Sequence, residues 1–166
     1  MAWWLTVYCR KPISGLTPEQ LTAGITGRDP EAGAGDDYLT LAEGYDVDEA
    51  LVKPALRALA ISKDLELSYG EARPVVMHVW SSADRVAEEL HEMHEVRAPP
   101  VSLHARLAET KEIVGLELGF SQLESMGIVL AFELARYLAQ KGDGVLVDDD
   151  DRWQRVVDGA FEDIDE

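Results

Sequence analysis

The segment from residue 112 to residue 151 constrains the fold more than any other part of the chain, because it combines a strand pattern, a long helix pattern and a second strand pattern. Val114, Leu116 and Leu118 recur at every second position, which predicts a strand over residues 113–120 with one face in a core. Glycines on the opposite face indicate either that another backbone packs close by or that the strand is weak or bulged. The segment therefore predicts a sheet with a helix packed against it.

The helix that follows this strand is marked at both ends. Ser121 and Glu124 have the spacing of a capping box, and Gly142 stands where a left-handed C-terminal cap is expected. Apolar residues cover most of the circumference between these ends, which predicts that the helix is mostly buried. Glu133 and Arg136 belong to the remaining polar stripe, and their spacing predicts an ordinary surface ion pair.

A short apolar run at residues 145–147 predicts a second strand, buried on both faces, and the long helix would be a crossover if this strand lies parallel to the first. The next four residues are all acidic: Asp148, Asp149, Asp150 and Asp151. Acidic residues stabilise the positive end of a helix dipole, so we expect residues 152–157 to begin another helix.

The rest of the chain alternates between strand and helix patterns. Period-2 patterns predict strands at residues 3–10, 38–42, 65–69, 75–80 and 101–107, and capped apolar patterns predict helices at residues 17–25, within 46–62, and at 81–96. This order predicts an α+β fold in which one mixed sheet is covered by helices, in a single domain over residues 1–166. Two successive ferredoxin-like halves would also fit the order.

The charge of the chain restricts its partners. The formal net charge is −17, from 32 acidic and 15 basic residues, and the acidic C-terminal segment 143–166 holds ten of the acids and two of the bases. Such a charge repels nucleic acid and anionic membranes, whereas it attracts a basic protein and speeds its association. The alternative interpretation is that the acidity only keeps the protein soluble.

The N-terminal sequence and the single cysteine indicate a cytoplasmic protein. Residues 1–11 have neither a basic stretch nor an apolar run of signal-peptide length, and no later run approaches the length of a membrane span. Cys9 has no other cysteine with which to form an internal disulfide. Its position in a strand pattern predicts a small buried apolar residue, which suits a reducing compartment.

Candidate residues for catalysis or metal binding are few. Glu88, His91 and His94 lie on neighbouring turns of one predicted helix and could share a metal, although they do not form the H-E-x-x-H pattern. The four aspartates could attract a divalent cation, but consecutive residues on an extended chain point to opposite sides. No nucleophile elbow is present. We therefore expect no cofactor and no enzymatic activity, with a metal-dependent enzyme as the alternative.

Trp153 follows the aspartates and is either a core anchor or an interface hot spot. The runs GLELGFSQLESMG and FELARYLAQKGDGVLVDDDDRW, within residues 113–153, resemble a group of small bacterial proteins of poorly defined function, some of them associated with toxin-immunity systems. The resemblance implies a protein that binds and blocks a cognate toxin in the cytoplasm of its producer, and it carries over no contact residues.

These observations lead to one main hypothesis of function. The chain is expected to be an acidic binding protein, of the immunity type, that covers a basic toxin with a surface formed by Asp148, Asp149, Asp150, Asp151 and Trp153. A metal-binding protein that uses Glu88, His91 and His94 is the first alternative. A DNA-mimicking inhibitor is a further alternative, which predicts regularly spaced surface carboxylates.

Overall fold

One antiparallel sheet contains all the strands of the residues that the computed structural model describes, which are 2–25, 49–70, 73–123 and 126–165. The strands are β1 Ala2–Cys9, β2 Ala60–Ile61, β3 Glu66–Ser68, β4 Val75–Trp80, β5 Glu112–Gly119, β6 Gly144–Asp148, β7 Trp153–Val157 and β8 Ala160–Asp163. The helices are α1 Pro18–Ile25, α2 Glu49–Arg57, α3 Ala83–Arg97, α4 His104–Ala108 and α5 Met126–Gly142. The predicted α+β class is confirmed.

Strand β1 lies at the centre of the sheet, whose order is β2-β3-β4-β5-β1-β6-β7-β8. Leu5 pairs with Leu116 of β5 on one side and with Asp148 of β6 on the other. Since β5 and β6 are both antiparallel to β1, they are parallel to each other and α5 connects them over the sheet. Neighbouring strands are nevertheless antiparallel throughout, where the sequence suggested a mixed sheet, and the described strands do not separate into two ferredoxin-like halves.

The inner face of the sheet packs against α5 and α1. Fully buried leucines and valines from the three central strands line it, together with the apolar side of α5: Leu5, Val7, Val114, Leu116, Leu146, Leu130, Leu134 and Leu138. Gly24 brings α1 so close to Tyr137 of α5 that a Cβ at position 24 would overlap the tyrosine ring. None of the helices that the structure describes is long and apolar enough to cross a bilayer.

The outer face of the sheet carries a second, smaller core beneath α3 and α4. Tyr8 and Trp153 pack there with Val86 and Met93 of α3, and Leu107 of α4 closes the same cluster. Ser82 caps α3 by accepting a hydrogen bond from the amide of residue 85, as predicted for the start of this helix. Among the described residues, the core on the inner face is therefore larger than the core on the outer face.

The expected helix at residues 152–157 is wrong, since this segment is strand β7. Val147 pairs with Trp153, and the chain turns back at Asp158 and Gly159, both with positive φ, into β8. An Asp-Gly pair between two short runs is the signature of a tight hairpin. The turn signal was present in the sequence, but the acidic run before it suggested a helix start.

The expected strand at residues 101–107 is also wrong. These residues form a 3₁₀ turn, Val101–Leu103, followed by α4. Leu103 and Leu107 are both buried and lie one helical turn apart. Apolar residues at every second position are also four residues apart, which is the spacing of one helix face. The periodicity of this short run therefore could not distinguish a strand from a helix.

Both ends of α5 differ from the predicted ones. The helix spans Met126–Gly142, whereas Ser121, its predicted cap, lies in a 3₁₀ turn, Phe120–Gln122. Glu124, the predicted partner of this cap, falls outside the described residues. At the other end Gly142 is the last helical residue, and Asp143 takes the left-handed conformation. Gly142 is needed for space instead, since a Cβ there would lie 2.6 Å from the sulfur of Cys9.

Glu133 and Arg136 form their predicted ion pair, but both side chains are buried and not at the surface. Arg136 also donates a hydrogen bond to the carbonyl of Gly159, in the turn of the β7–β8 hairpin. The hairpin therefore reaches the polar side of α5 that the sequence assigned to solvent.

Several local predictions are confirmed. Helix α1 runs over Pro18–Ile25, and Thr17 and Gln20 exchange hydrogen bonds as a capping box. Strands β3 and β4 lie within the strands predicted at 65–69 and 75–80 and pair antiparallel with each other, and Cys9 is fully buried as expected. Helix α2, Glu49–Arg57, lies within the range 46–62 predicted for a helix and includes Pro54. The predicted strand at 38–42 lies outside the described residues.

Candidate partner-binding surface

The four predicted aspartates form the connection between β6 and β7. Asp148 is only 8% exposed, and its carboxylate accepts hydrogen bonds from the amides of Asp150, at 2.9 Å, and Arg152, at 3.1 Å. Asp151 has a φ of 59°, which lets the chain reverse within this short connection. Asp148 therefore fixes the shape of the turn and does not offer its carboxylate to a partner.

Arg97, at the end of α3, binds two of the other aspartates. Its guanidinium lies 2.8 Å from Asp149 and 2.7 Å from Asp151, and it also donates to the carbonyl of Asp148 at 2.7 Å. Partial burial alone would lower the pKa of Arg97, but the hydrogen bonds to the two carboxylates outweigh it and raise the pKa. The guanidinium thus stays charged and joins α3 to the turn.

Asp149 also accepts a hydrogen bond from the backbone amide of Trp4, at 2.8 Å. Its carboxylate therefore connects α3, the turn and the start of β1. Of the four aspartates, Asp150 alone has an exposed carboxylate to which the structure, within the residues it describes, gives no hydrogen bond or ion pair. The charge that this cluster offers to a partner is consequently smaller than the sequence suggested.

Trp153 lies in the outer core. Its side chain is 4% exposed, and its ring stacks on that of Tyr8 with 5.8 Å between centroids. Of the two roles predicted for Trp153, core anchor and interface hot spot, its burial agrees with the core anchor.

The residues of the metal-site alternative do not converge. Glu88 pairs with Arg85 at 3.2 Å, His91 pairs with Glu95 at 3.3 Å, and the ring of His94 contacts that of His104. In the parts of the chain that the structure describes, no group of three or more His, Cys, Asp or Glu side chains is arranged to hold a metal ion. The geometry gives the metal-enzyme alternative no support.

The sequence did not reveal a cleft that opens between α3 and the outer face of the sheet. The cleft has a volume of about 280 Å³. Its walls come from β1, β4, β5 and the C-terminal half of α3, and they are lined by Trp4, Thr6, Tyr8, Trp80, Glu89, Glu92, Met93, Val96, Arg97 and Ile113. An aromatic sheet surface and an acidic helix face therefore meet here.

Gly115 positions the two tryptophans of this cleft. A Cβ at position 115 would lie 2.9 Å from the Trp80 ring and 3.1 Å from the Trp4 ring, so both indoles lean over the bare backbone of β5. His78 continues the aromatic cluster, with its ring centroid 5.1 Å from that of Trp4. The close neighbour of this glycine is thus a pair of side chains and not another backbone.

Charged groups surround the aromatic cluster. Glu117 pairs with His78 at 2.9 Å on the sheet. Across the cleft, partial burial and then the nearby charge of Glu92 raise the pKa of Glu89. Arg85 pairs with Glu89 at 3.2 Å, whereas no cationic group among the described residues pairs with Glu92.

Comparison with protein-family models, curated proteins and solved structures finds no match for this chain. The interpretation of the site therefore rests on its geometry. The alternation in β1 and β4 places Trp4, His78 and Trp80 on the strand faces opposite the apolar core positions, which is the one signal of this aromatic cluster in the sequence. That these faces meet over Gly115 depends on the pairing of both strands with β5.

A second and larger cleft, of about 740 Å³, lies at the other end of α3. Lys11 and Lys111 line it together with Glu112, whose carboxylate accepts hydrogen bonds from the amides of Ile13 and Ser14. This carboxylate holds the loop after β1 in place. Arg10 also lines the cleft and pairs with Glu109 and Asp143, which leaves Lys11 and Lys111 as the lining cations without an ion pair among the described residues.

Proposed function

We propose that this chain is an acidic binding protein that acts as an immunity protein, blocking a basic bacterial toxin by covering it. The observation that carries the proposal is the cleft on the outer sheet face, where Trp4 and Trp80 lie half-buried near the carboxylates of Glu89, Glu92 and Glu117. Half-buried tryptophans next to acidic groups have the composition of a protein interface for a basic partner.

Charge and aromatic surface have different roles in this proposal. The net charge of −17 attracts a basic toxin and speeds the encounter. The indole rings supply the apolar area that holds the complex together once it has formed. Inhibition then follows from occlusion of the toxin's basic active site and requires neither a cofactor nor chemistry from this chain.

The proposal changes the role that the sequence gave to the aspartates. Asp150 contributes charge at the edge of the interface, while Asp149 and Asp151 hold Arg97 and thereby position the end of α3 beside the cleft. The proposed place of action is the cytoplasm of the producing cell, where a toxin must be neutralised before it leaves.

The test is a capture experiment with matched variants, carried out in lysate of the native organism at low and high salt. The baits are the wild-type chain, a Trp4→Ala/Trp80→Ala variant, and Glu19→Gln, a substitution on α1 across the sheet from the cleft. We expect a basic protein that wild-type and Glu19→Gln retain at low salt, that high salt releases, and that the double variant fails to retain.

A captured protein must also behave as a toxin. Its expression alone should arrest growth, and co-expression of the wild-type chain should restore it. If the captured protein does not harm the cell, or if the chain does not relieve the arrest, the immunity function is contradicted. Equal capture by the double variant, after circular dichroism has shown that it is folded, would contradict the proposed interface.

A further inference from the structure

The cleft that the half-buried Trp4 and Trp80 line has the chemistry of a site for a single organic cation. Trp4 and Trp80 contribute aromatic rings from the sheet, and Glu89 and Glu92 contribute carboxylates from α3. Cations bind favourably over indole faces, and a carboxylate nearby adds a direct ion pair. The volume of about 280 Å³ lies at the small end of the range for ligand sites, which suits one side chain better than a large ligand.

Arg97 lines the same cleft, but its charge is already balanced. Its guanidinium is held by Asp149 and Asp151 at 2.8 and 2.7 Å. The charged groups around the cleft are four carboxylates and two guanidinium groups. The carboxylates are those of Glu89, Glu92, Asp149 and Asp151, and the guanidinium groups are those of Arg85 and Arg97. The site therefore remains negative, and Glu92 is the carboxylate that these internal pairs leave for an incoming cation.

We infer that the cleft receives one arginine side chain of the protein partner, with its guanidinium stacked on the indole rings of Trp4 and Trp80 and paired with Glu92. This inference rests on the proposed function. Arginine fits better than lysine, because a planar guanidinium stacks on an aromatic ring and offers several donors to a carboxylate, whereas an ammonium group is compact and strongly hydrated.

The structure also supplies a local signal for binding. Trp3 and Trp153 are buried, while Trp4 and Trp80 are half-buried and line the cleft. A cation that enters the cleft will therefore change the fluorescence of these two tryptophans and leave that of the buried pair largely unaffected. The full chain can be titrated directly with a defined probe and needs no label.

The experiment titrates the purified full chain with hexa-arginine, hexa-lysine and N-acetylarginine amide, and follows tryptophan fluorescence. We expect hexa-arginine to bind more tightly than hexa-lysine, and both more tightly than the free amide. Glu92→Gln should weaken the binding of hexa-arginine about twofold to fivefold, in keeping with the loss of one solvent-exposed ion pair while both tryptophans stay in place. Glu19→Gln, which removes the same charge on the other side of the sheet, should leave binding unchanged.

Three results would overturn the inference: equal affinity of wild-type and Glu92→Gln for hexa-arginine, equal affinity for the two hexapeptides, or tight binding of the free amide, which would indicate a small-molecule site. The proposed function fails separately. If the chain captures a toxin and Glu92→Gln does not weaken that capture, the proposed function is supported and the arginine contact is contradicted. If hexa-arginine binding depends on Glu92 but the chain neutralises no toxin, the arginine site is supported and the proposed function is contradicted.

Discussion

Arg97 donates a hydrogen bond to Asp149 across 2.8 Å, and this contact joins residues that are 52 positions apart in the chain. Asp149 also accepts a hydrogen bond from the backbone amide of Trp4. The Arg97–Asp149 pair therefore fixes the end of α3 against strand β1. One wall of the cleft is therefore held in place by an ion pair in which both side chains are less than one-third exposed.

Replacement of Arg97 by Gln is expected to lower the free energy of unfolding by about 1 to 3 kcal/mol, since it leaves the partly buried Asp149 without its charged donor. Urea denaturation measures the change. Arg85→Gln is the matched control on the same helix, because the Arg85 side chain is 52% exposed and its pairs should contribute about 1 kcal/mol or less. Equal effects of the two substitutions would contradict the structural role of Arg97.

Replacement of Gly24 by Ala should destabilise the protein, although alanine favours a helix over glycine by about 1 kcal/mol. The added Cβ would overlap the buried ring of Tyr137, and overpacking of this kind costs about 1 to 3 kcal/mol. The midpoint of thermal unfolding shows whether Gly24→Ala stabilises or destabilises the protein. At Gly15 a Cβ would have no neighbour within 4 Å, so Gly15→Ala should change the midpoint little. A raised midpoint for Gly24→Ala would show that α1 packs less closely on α5.

Asp143 should stabilise the fold in a pH-dependent way. Partial burial works to raise its pKa, but the hydrogen bond from Arg10 and the charge of Arg106 outweigh burial and hold the pKa below its ordinary value. A depressed folded-state pKa gives stability that is fully present above about pH 4 and is lost as pH falls through the folded value.

The measurement for this prediction is the unfolding midpoint of wild-type and Asp143→Asn over a range of pH. Asparagine keeps the left-handed conformation of this residue and removes only the charge. We expect the variant to be less stable at neutral pH and the difference to disappear at the acid end. A difference that is the same at every pH would show that charge is not the cause.

Cys9 should be unreactive in the folded protein. Burial, followed by the charges of Glu112 and Asp143, raises the pKa of its thiol to about 12, so the reactive thiolate is scarce near neutral pH. A thiol reagent such as DTNB, used at about pH 8, should modify the native chain much more slowly than the chain unfolded in guanidinium chloride. Rapid modification of the native chain would indicate that the end of β1 opens readily.

The sequence predicted those elements whose signals are local. Period-2 alternation located β1, β4 and β5, and a cap followed by proline located α1. Local signals failed where they conflicted, as at residues 152–157, where an acidic run favoured a helix and the Asp158-Gly159 turn favoured the observed hairpin. The aspartates were correctly seen as a cluster, but their partner Arg97 lies on another element and could not be inferred from spacing.

The sequence by itself determined the class of the fold, the charge of the surface and the face to which each long apolar run turns, because these depend on neighbouring residues and on overall composition. Only the tertiary structure decided that Trp4, Trp80 and Glu92 line one cleft and that three of the four aspartates are engaged within the chain. Both outcomes depend on strand order and on where α3 rests on the sheet. That arrangement depends on contacts between segments that are distant in the chain, and it cannot be inferred from the periodicity of any one segment.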